Sequence, residues 1–282
     1  MFGRGSAANA VELPMVPPAM RVGAREEDAA ATLPPVDLTT TKALPRVSVV
    51  IPTLNEARNL PHVFAKLPAD IFEVVLVDGR STDDTVEVAR DLYPNVRIVG
   101  QTRKGKGNAL ACGFAACRGD VIVMLDADGS ANGEEIPRFV DALVAGADFA
   151  KGSRFIEGGG SSDITPLRGA GNWFFSTLVN VLFGTRYSDL CYGYNAFWAH
   201  CLPHMSVDCD GFEVETLINI RVARAGLAIA EVPSFEEDRI HGESNLRTFR
   251  DGFRVLRTIF RERLQRTGSL ITDPAPLLEA SA

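Results

Sequence analysis

Four short apolar runs, Val47 to Ile51, Val74 to Val77, Val96 to Val99 and Val121 to Leu125, each precede a stretch of about ten residues with helical spacing. β-branched residues suit a pleated strand, and strands alternating with helices of that length pair in parallel. A parallel sheet needs helices on both faces, because its crossovers lie there. The first half is therefore expected to be a mostly parallel sheet in an α/β/α sandwich. In such sheets, ligands bind beyond the carboxyl ends of the strands. Three polar clusters fall at those ends: Thr53 to Glu56, Asp78 to Asp83 and Asp126 to Ser130.

The second half is less regular. Gly158 to Ser162 reads as a mobile loop and Arg168 to Phe183 as an amphipathic helix. Gly193 to Ala199 and Leu227 to Val232 read as strands, Phe212 to Arg224 and Leu246 to Arg266 as helices. Residues 1–44 are rich in Ala and Pro without a sustained period, which reads as a disordered leader. The expected division is leader 1–44, α/β domain 45–243, basic amphipathic helix 244–267 and flexible tail 268–282.

The formal net charge of -7 argues against a general nucleic-acid binder. Five cysteines with no Cys-x-x-Cys pair fit free thiols in a reducing cytoplasm. No run reaches the roughly 18 to 20 apolar residues that cross a bilayer, and the start of the chain does not read as a signal peptide. The oligomeric state is not legible.

Asp126-Ala127-Asp128 ends the fourth run. Two carboxylates one residue apart suit a hard divalent cation that completes its shell with substrate phosphate and water; the triplet also occurs in turns and caps. Asp78 follows the second run, where capping of the next helix needs only Ser81 or Asp83, leaving Asp78 for a base or ribose. Lys104-Gly105-Lys106-Gly107-Asn108 opens a helix, and its exposed N–H groups favour an anion; a glycine-rich turn with solvated lysines explains it equally. Arg154 and Arg168 are candidates to neutralise phosphate oxygens. Asp189, Asp210, Glu213 and Glu215 supply further carboxylates, and of the last two only one can face a site from a helix. His241, in His-Gly-Glu-Ser-Asn, is open to a metal, phosphate or structural role, with Ser244 as a cap.

Between residues 246 and 266, Leu246, Phe249, Phe253, Leu256, Phe260 and Leu264 form one helical stripe, with seven arginines against Asp251 and Glu262, a net of +5. Such a helix either lies on an anionic bilayer or packs its stripe on the domain.

Together, Val-Ser-Val-Val-Ile-Pro-Thr-Leu-Asn-Glu, Val-Asp-Gly-Arg-Ser-Thr-Asp, Gly-Lys-Gly, Asp-Ala-Asp and Gly-Ser-Arg resemble family 2 glycosyltransferases of the GT-A fold, over about residues 46–250. Arg168 to Asn195, with Asp189 before Gly193, and His241 to Leu246 resemble the dolichol- or polyprenyl-phosphate mannosyltransferase branch. The resemblance implies a Rossmann-like three-layer α/β/α fold and inverting transfer of a hexose, mannose or glucose, from a GDP- or UDP-sugar to polyprenyl phosphate. It implies that Pro52, Leu54, Glu56 and Asp78 hold the nucleoside and that Lys104 to Gly107 lie beside it. Asp126 and Asp128 would hold Mg²⁺ or Mn²⁺, with Ala127 between them. Arg154, Arg168, His241 and Ser244 complete the expected donor contacts.

Two positions depart from the branch: Ser130 stands where Gln is usual, leaving the third metal ligand open, and Asp78-Gly79-Arg80-Ser81 replaces Asp-Asp-x-Ser. A phosphate acceptor needs no strong base; a hydroxyl acceptor would need one, for which Asp189 or Glu215 is the candidate. The expected location is cytoplasmic, peripheral at the inner face of the cell membrane. The alternatives are transfer to a soluble hydroxyl acceptor and a non-catalytic nucleotide-sugar-binding protein.

Overall fold

A computed structural model describes residues 44–242 and 247–265. Seven strands form one sheet in the order β3-β2-β1-β4-β7-β5-β8. They are β1 (Val47–Thr53), β2 (Glu73–Asp78), β3 (Arg97–Gly100), β4 (Val121–Met124), β5 (Phe149–Ser153), β7 (Asn195–Trp198) and β8 (Ile229–Pro233). Only β7 runs antiparallel to its neighbours; every other pairing is parallel. The helices are α1 (Leu60–Ala65), α2 (Thr85–Leu92), α3 (Lys106–Ala116), α4 (Ile136–Val144), α5 (Pro166–Phe183), α6 (Leu202–Met205), α7 (Val214–Arg224) and α8 (Thr248–Leu264). The three-layer α/β/α expectation is met, and Val49 and Val50 illustrate why. Val49 packs with α1, α2 and α4 on one face of the sheet, Val50 with α3, α6 and α7 on the other.

The chain builds β1, β2 and β3 outward in one direction, then returns through α3 to β4 on the other side of β1. Right-handed crossovers turn such a reversal into a change of face, so α3 lies opposite α1 and α2. The crevice between the ends of β1 and β4 is the point where the strand order reverses. Asp126 to Asp128 leave β4, the middle strand, at that crevice.

One expectation is corrected. The segment expected as a loop at Gly158 to Ser162 contains β6 (Gly160–Ser161), which pairs in parallel with β9 (Phe235–Glu236). β5 extends through Lys151, Gly152 and Ser153, all buried, well beyond its apolar start. Lys151 survives there because its ammonium donates to the carbonyls of Gly152 at 2.7 Å and Tyr192 at 3.0 Å. Burial nevertheless pulls its pKa below the ordinary lysine value. Of the expected leader only Leu44 is among the described residues, and the expected tail at 268–282 lies outside them.

A satellite core joins α5, α7 and α8 through Val179, Leu190, Ile220, Val255 and Ile259. Below it, the buried Arg221 of α7 meets the buried Glu262 of α8 at 2.8 Å, and Arg224 meets the same carboxylate at 3.2 Å. The face that α8 buries is thus Asp251, Val255, Thr258, Ile259 and Glu262, not its aromatic stripe. Phe249, Phe253 and Leu264 are 83%, 68% and 82% exposed. Removing one member of a buried ion pair leaves the other charge without compensation, at about 3–5 kcal/mol. Glu262→Ala is therefore expected to lower unfolding stability by about that amount; urea titration followed by circular dichroism measures it, and a loss below 1 kcal/mol would refute this account of how α8 is held.

Candidate active site

At the carboxyl ends of β1 and β4 lies a cavity of about 690 Å³. Pro52, Leu54 and Glu56 line it from the end of β1, Asp126, Ala127, Asp128 and Ser130 from beyond β4, and Arg154 from beyond β5. It continues outward between α5, through Leu167, Arg168, Asn172 and Phe175, and α8, through Asp251, Gly252 and Val255.

The two aspartates are compensated by different cations. Lys106, the first residue of α3, brings its ammonium to 2.7 Å from Asp126 Oδ1 and 2.8 Å from Glu215 Oε1. Burial disfavours the charged ammonium, but the two carboxylates outweigh it and hold the Lys106 pKa above its ordinary value. Burial in turn raises the pKa of Glu215. On the other side, Arg239 Nη2 lies 2.8 Å from Asp128 Oδ2 and Arg239 Nη1 lies 3.2 Å from Glu56 Oε1. Burial raises the Glu56 pKa as well.

These residues fit a divalent cation of the Mg²⁺ or Mn²⁺ type. Two carboxylates share the wall of one cavity, both where positive charge is already favoured, and hard cations take oxygen donors. Among the described residues no set of three or more His, Cys, Asp or Glu side chains converges, so further ligands would come from diphosphate or water. Ser130 Oγ donates to Asp128 Oδ1 at 2.7 Å, which places the hydroxyl beside the pair but commits it to that carboxylate.

Several residues singled out in the sequence occupy other positions. Lys104 is exposed and does not line the cavity; Lys106 does. Gly105, at φ +100°, and Gly107 admit the protein's own backbone: a Cβ at Gly105 would come within 2.0 Å of the Asp210 carbonyl, and the Gly107 N–H donates to that oxygen at 3.0 Å. Asp78 accepts the backbone N–H groups of Arg80 and Ser81, so it caps a turn, and Gly79 faces the cavity in its place.

Asp189 is fully buried and accepts from the Arg154 guanidinium at 2.7 and 3.0 Å, and from the N–H groups of Arg154 and Tyr192. Burial opposes its charge, yet Lys151 and Arg154 hold its pKa below the usual carboxylate range. It anchors Arg154 and does not line the cavity, which corrects its reading as a general base. Glu213 Oε1 accepts from the Gly211 N–H, and Glu215 alone of that pair faces the cavity. Arg168 lines the cavity with Asp163 at 3.2 Å from its guanidinium. His241 lies beside His62, ring centroids 5.8 Å apart, and Gly242 reaches the cavity in its place. Ser244 lies outside the described residues.

Arg239 escaped the sequence reading, whereas Lys106 and Gly193 were read only as parts of their segments, without the contacts they make. Arg239 follows a run of acidic residues and Gly193 lies between two tyrosines, so neither carries a local signal. Lys106 was visible within the glycine-rich segment, but its direction depends on where α3 begins.

Residues 48–202 match the family model described as "Glycosyl transferase family 2". The chain is 34% identical over 215 residues to an undecaprenyl-phosphate mannosyltransferase of Micrococcus luteus, covering 71% of this chain and 87% of that protein. It is 32% identical to a polyprenol monophosphomannose synthase of Mycolicibacterium smegmatis, covering 74% and 84%. Among solved structures, glucosyl-3-phosphoglycerate synthase of Mycobacterium tuberculosis, in complex with Mn²⁺, UDP and glucosyl-3-phosphoglycerate, aligns at a TM-score of 0.63 and 25% identity, covering 78% of this chain and 81% of that one.

A Cβ on Gly193 would sit 3.0 Å from Lys106 Nζ, 3.2 Å from Asp126 Oδ2 and 3.3 Å from Glu215 Oε1. Gly193→Val is expected to push these three groups apart and weaken nucleotide binding at least tenfold by calorimetry. Unchanged affinity would mean that their arrangement does not govern the site.

Proposed function

This chain belongs to glycosyl transferase family 2, and on that footing we propose that it moves a hexose from a nucleotide diphosphate sugar to polyprenyl phosphate. It is a glycosyltransferase; the acceptor and the metal are the proposed part. The observation that carries the acceptor is the course of the cavity. It leads from Asp126 and Asp128 to a slot between α5 and α8, and those two helices carry exposed apolar side chains: Leu167, Trp173, Phe174 and Val181 on α5, Phe249, Phe253, Phe260 and Leu264 on α8. Arg250 and Arg257 are exposed beside them. Aromatic and aliphatic side chains among arginines suit the interface of an anionic bilayer, where a lipid-linked acceptor resides. No helix among the described residues is long and apolar enough to cross a membrane, so the attachment proposed is peripheral.

In this reading, Asp126 and Asp128 hold the divalent cation, which supplies charge stabilisation to the departing nucleoside diphosphate. Arg239, held between Asp128 and Glu56, adds a second positive group on the same side. The end of β1, from Pro52 to Glu56, with Gly79, receives the nucleoside. Arg168 faces the acceptor phosphate from α5, and Asp163, its carboxylate partner among the described residues, is exposed enough to be exchanged. Asp189 binds Arg154 and Glu215 binds Lys106, so neither carboxylate stands ready to take a proton. An acceptor that arrives already ionised suits that arrangement, and attack on the face opposite the leaving group inverts the anomeric centre.

A second reading has its own support: likeness to the glucosyl-3-phosphoglycerate synthase, whose structure holds the small, water-soluble glucosyl-3-phosphoglycerate, favours a soluble acceptor. Incubation with labelled GDP-mannose or UDP-glucose, polyprenyl phosphate and Mn²⁺ distinguishes the two. Label is expected to enter the organic phase; label confined to water-soluble products would replace the lipid acceptor with a soluble one. Asp126→Asn and Asp128→Asn are each expected to lower transfer by about a hundredfold or more, on the scale of one lost electrostatic stabiliser.

For the membrane contact, Phe249→Ser with Phe253→Ser is expected to weaken co-flotation with anionic phosphatidylglycerol vesicles at least tenfold, since burying one such ring contributes about 1.5–3 kcal/mol. Equal flotation of the native and variant proteins would exclude this face as the attachment surface.

A further inference from the structure

Lys106 belongs to the Gly-Lys-Gly segment expected beside the nucleoside, and nothing in that segment assigns it to the cation site. Its ammonium bridges both oxygens of Asp126, at 2.7 and 2.8 Å, and Glu215 at 2.8 Å. Its side chain is largely buried, with the Phe212 ring 5.9 Å from the ammonium. Gly193 lies close against it, so that a Cβ there would come within 3.0 Å of the ammonium. The ammonium therefore has two carboxylates to choose between. Glu215 is buried, committed to the same ammonium, and rooted in the first turn of α7.

We propose that Lys106 is a built-in competitor for the divalent cation at Asp126, with Glu215 as the second seat that keeps the ammonium in the site once Asp126 is given up. The proposal rests on the metal-dependent reading above and adds a positioning role on the cation site that neither the Asp126/Asp128 motif nor the relatives' names contain.

The physical consequence is a coupling between ligands. A divalent ion entering alone must displace a tightly held ammonium and then remain beside it in a partly buried site, where like charges repel strongly. A nucleoside diphosphate brings the compensating negative charge, so ion and nucleotide favour each other's binding by the same factor. The free ion is held weakly, and the site fills when both arrive. Lys106 is then left between Glu215 and the diphosphate, a position from which its charge also faces the leaving group.

Manganese binding, followed by the loss of the free-ion electron paramagnetic resonance signal, tests this without any turnover. The proteins compared are native, Lys106→Arg, and the double variant Lys106→Met with Glu215→Gln, each titrated with and without UDP or GDP. The double substitution removes one positive and one negative charge, so net charge is unchanged and no buried carboxylate is left alone; thermal unfolding checks that the fold is retained.

Native protein and Lys106→Arg are expected to bind Mn²⁺ weakly alone and at least tenfold more tightly with nucleotide. The double variant is expected to bind Mn²⁺ alone at least tenfold more tightly than native, with the nucleotide effect correspondingly reduced. If the double variant binds Mn²⁺ alone no better than native while all three bind it with nucleotide, the competitor role is overturned and the metal reading stands. If none binds Mn²⁺ even with nucleotide, the metal reading fails and this proposal with it.

Discussion

Negative side chains gathered at one end of a buried sheet repel one another, and the way this fold compensates them organises the site. Asp126 and Asp128 leave β4 at the crevice where strand order reverses, with Glu56 from β1 and Glu215 from α7 close by. Each aspartate meets a cation from a distant part of the chain: Lys106 from the start of α3, Arg239 from the segment after β9. The return through α3, which packs on β1, β2 and β3, starts that helix near the end of β4, and the Lys106 side chain reaches Asp126 from its first residue. Arg154 and the fully buried Asp189 repeat the solution at the end of β5, two strands further out. A site built this way favours positive charge before any ligand arrives, and it is ready to exchange protein cations for a metal and a diphosphate.

Much of the fold was written in the local sequence. β1, β2 and β4 are largely buried strands rich in β-branched residues, and such strands need little long-range information to be recognised. β5 was only half visible because Lys151, Gly152 and Ser153 do not look like a core strand. The lysine is tolerated through carbonyls that belong to its own strand and to the chain before β7. The pair β6 and β9 was missed for a related reason: two residues on each side, contributed by segments some 75 residues apart, leave no periodic trace.

The site divides in the same way. The alternation of strands and helices put Thr53 to Glu56 and Asp126 to Ser130 at strand ends, where they do meet the cavity, and put Asp78 there too, which does not line it; Pro52 came from the family resemblance and Arg154 from its charge. Which carboxylate meets which cation could not be read in this way. Asp189 and Glu215 looked equivalent as bases, and only tertiary contacts separate an aspartate saturated by Arg154 and two N–H groups from a glutamate that shares Lys106 with Asp126. The glycines of Lys104 to Gly107 likewise have a reason no sequence displays, the close approach of the Cys209–Asp210 backbone.

The last helix shows how far an apolar stripe can mislead about packing. Its aromatic residues have the spacing of a face that docks on a domain, yet α8 docks through Asp251, Val255, Thr258, Ile259 and Glu262. Two forces make that choice. Val255 and Ile259 enter the satellite core with α5 and α7, and Glu262 compensates Arg221 and Arg224, charges that α7 could not bury alone. With this face committed, rotating the helix to bury Phe249 and Phe253 would strand a buried arginine. The aromatic face is thereby held outward in a fixed orientation, while Asp251, Gly252 and Val255 of the same helix line the cavity that begins at Asp126. The buried ion pair thus fixes at once which residues of α8 meet the cavity and which are left exposed.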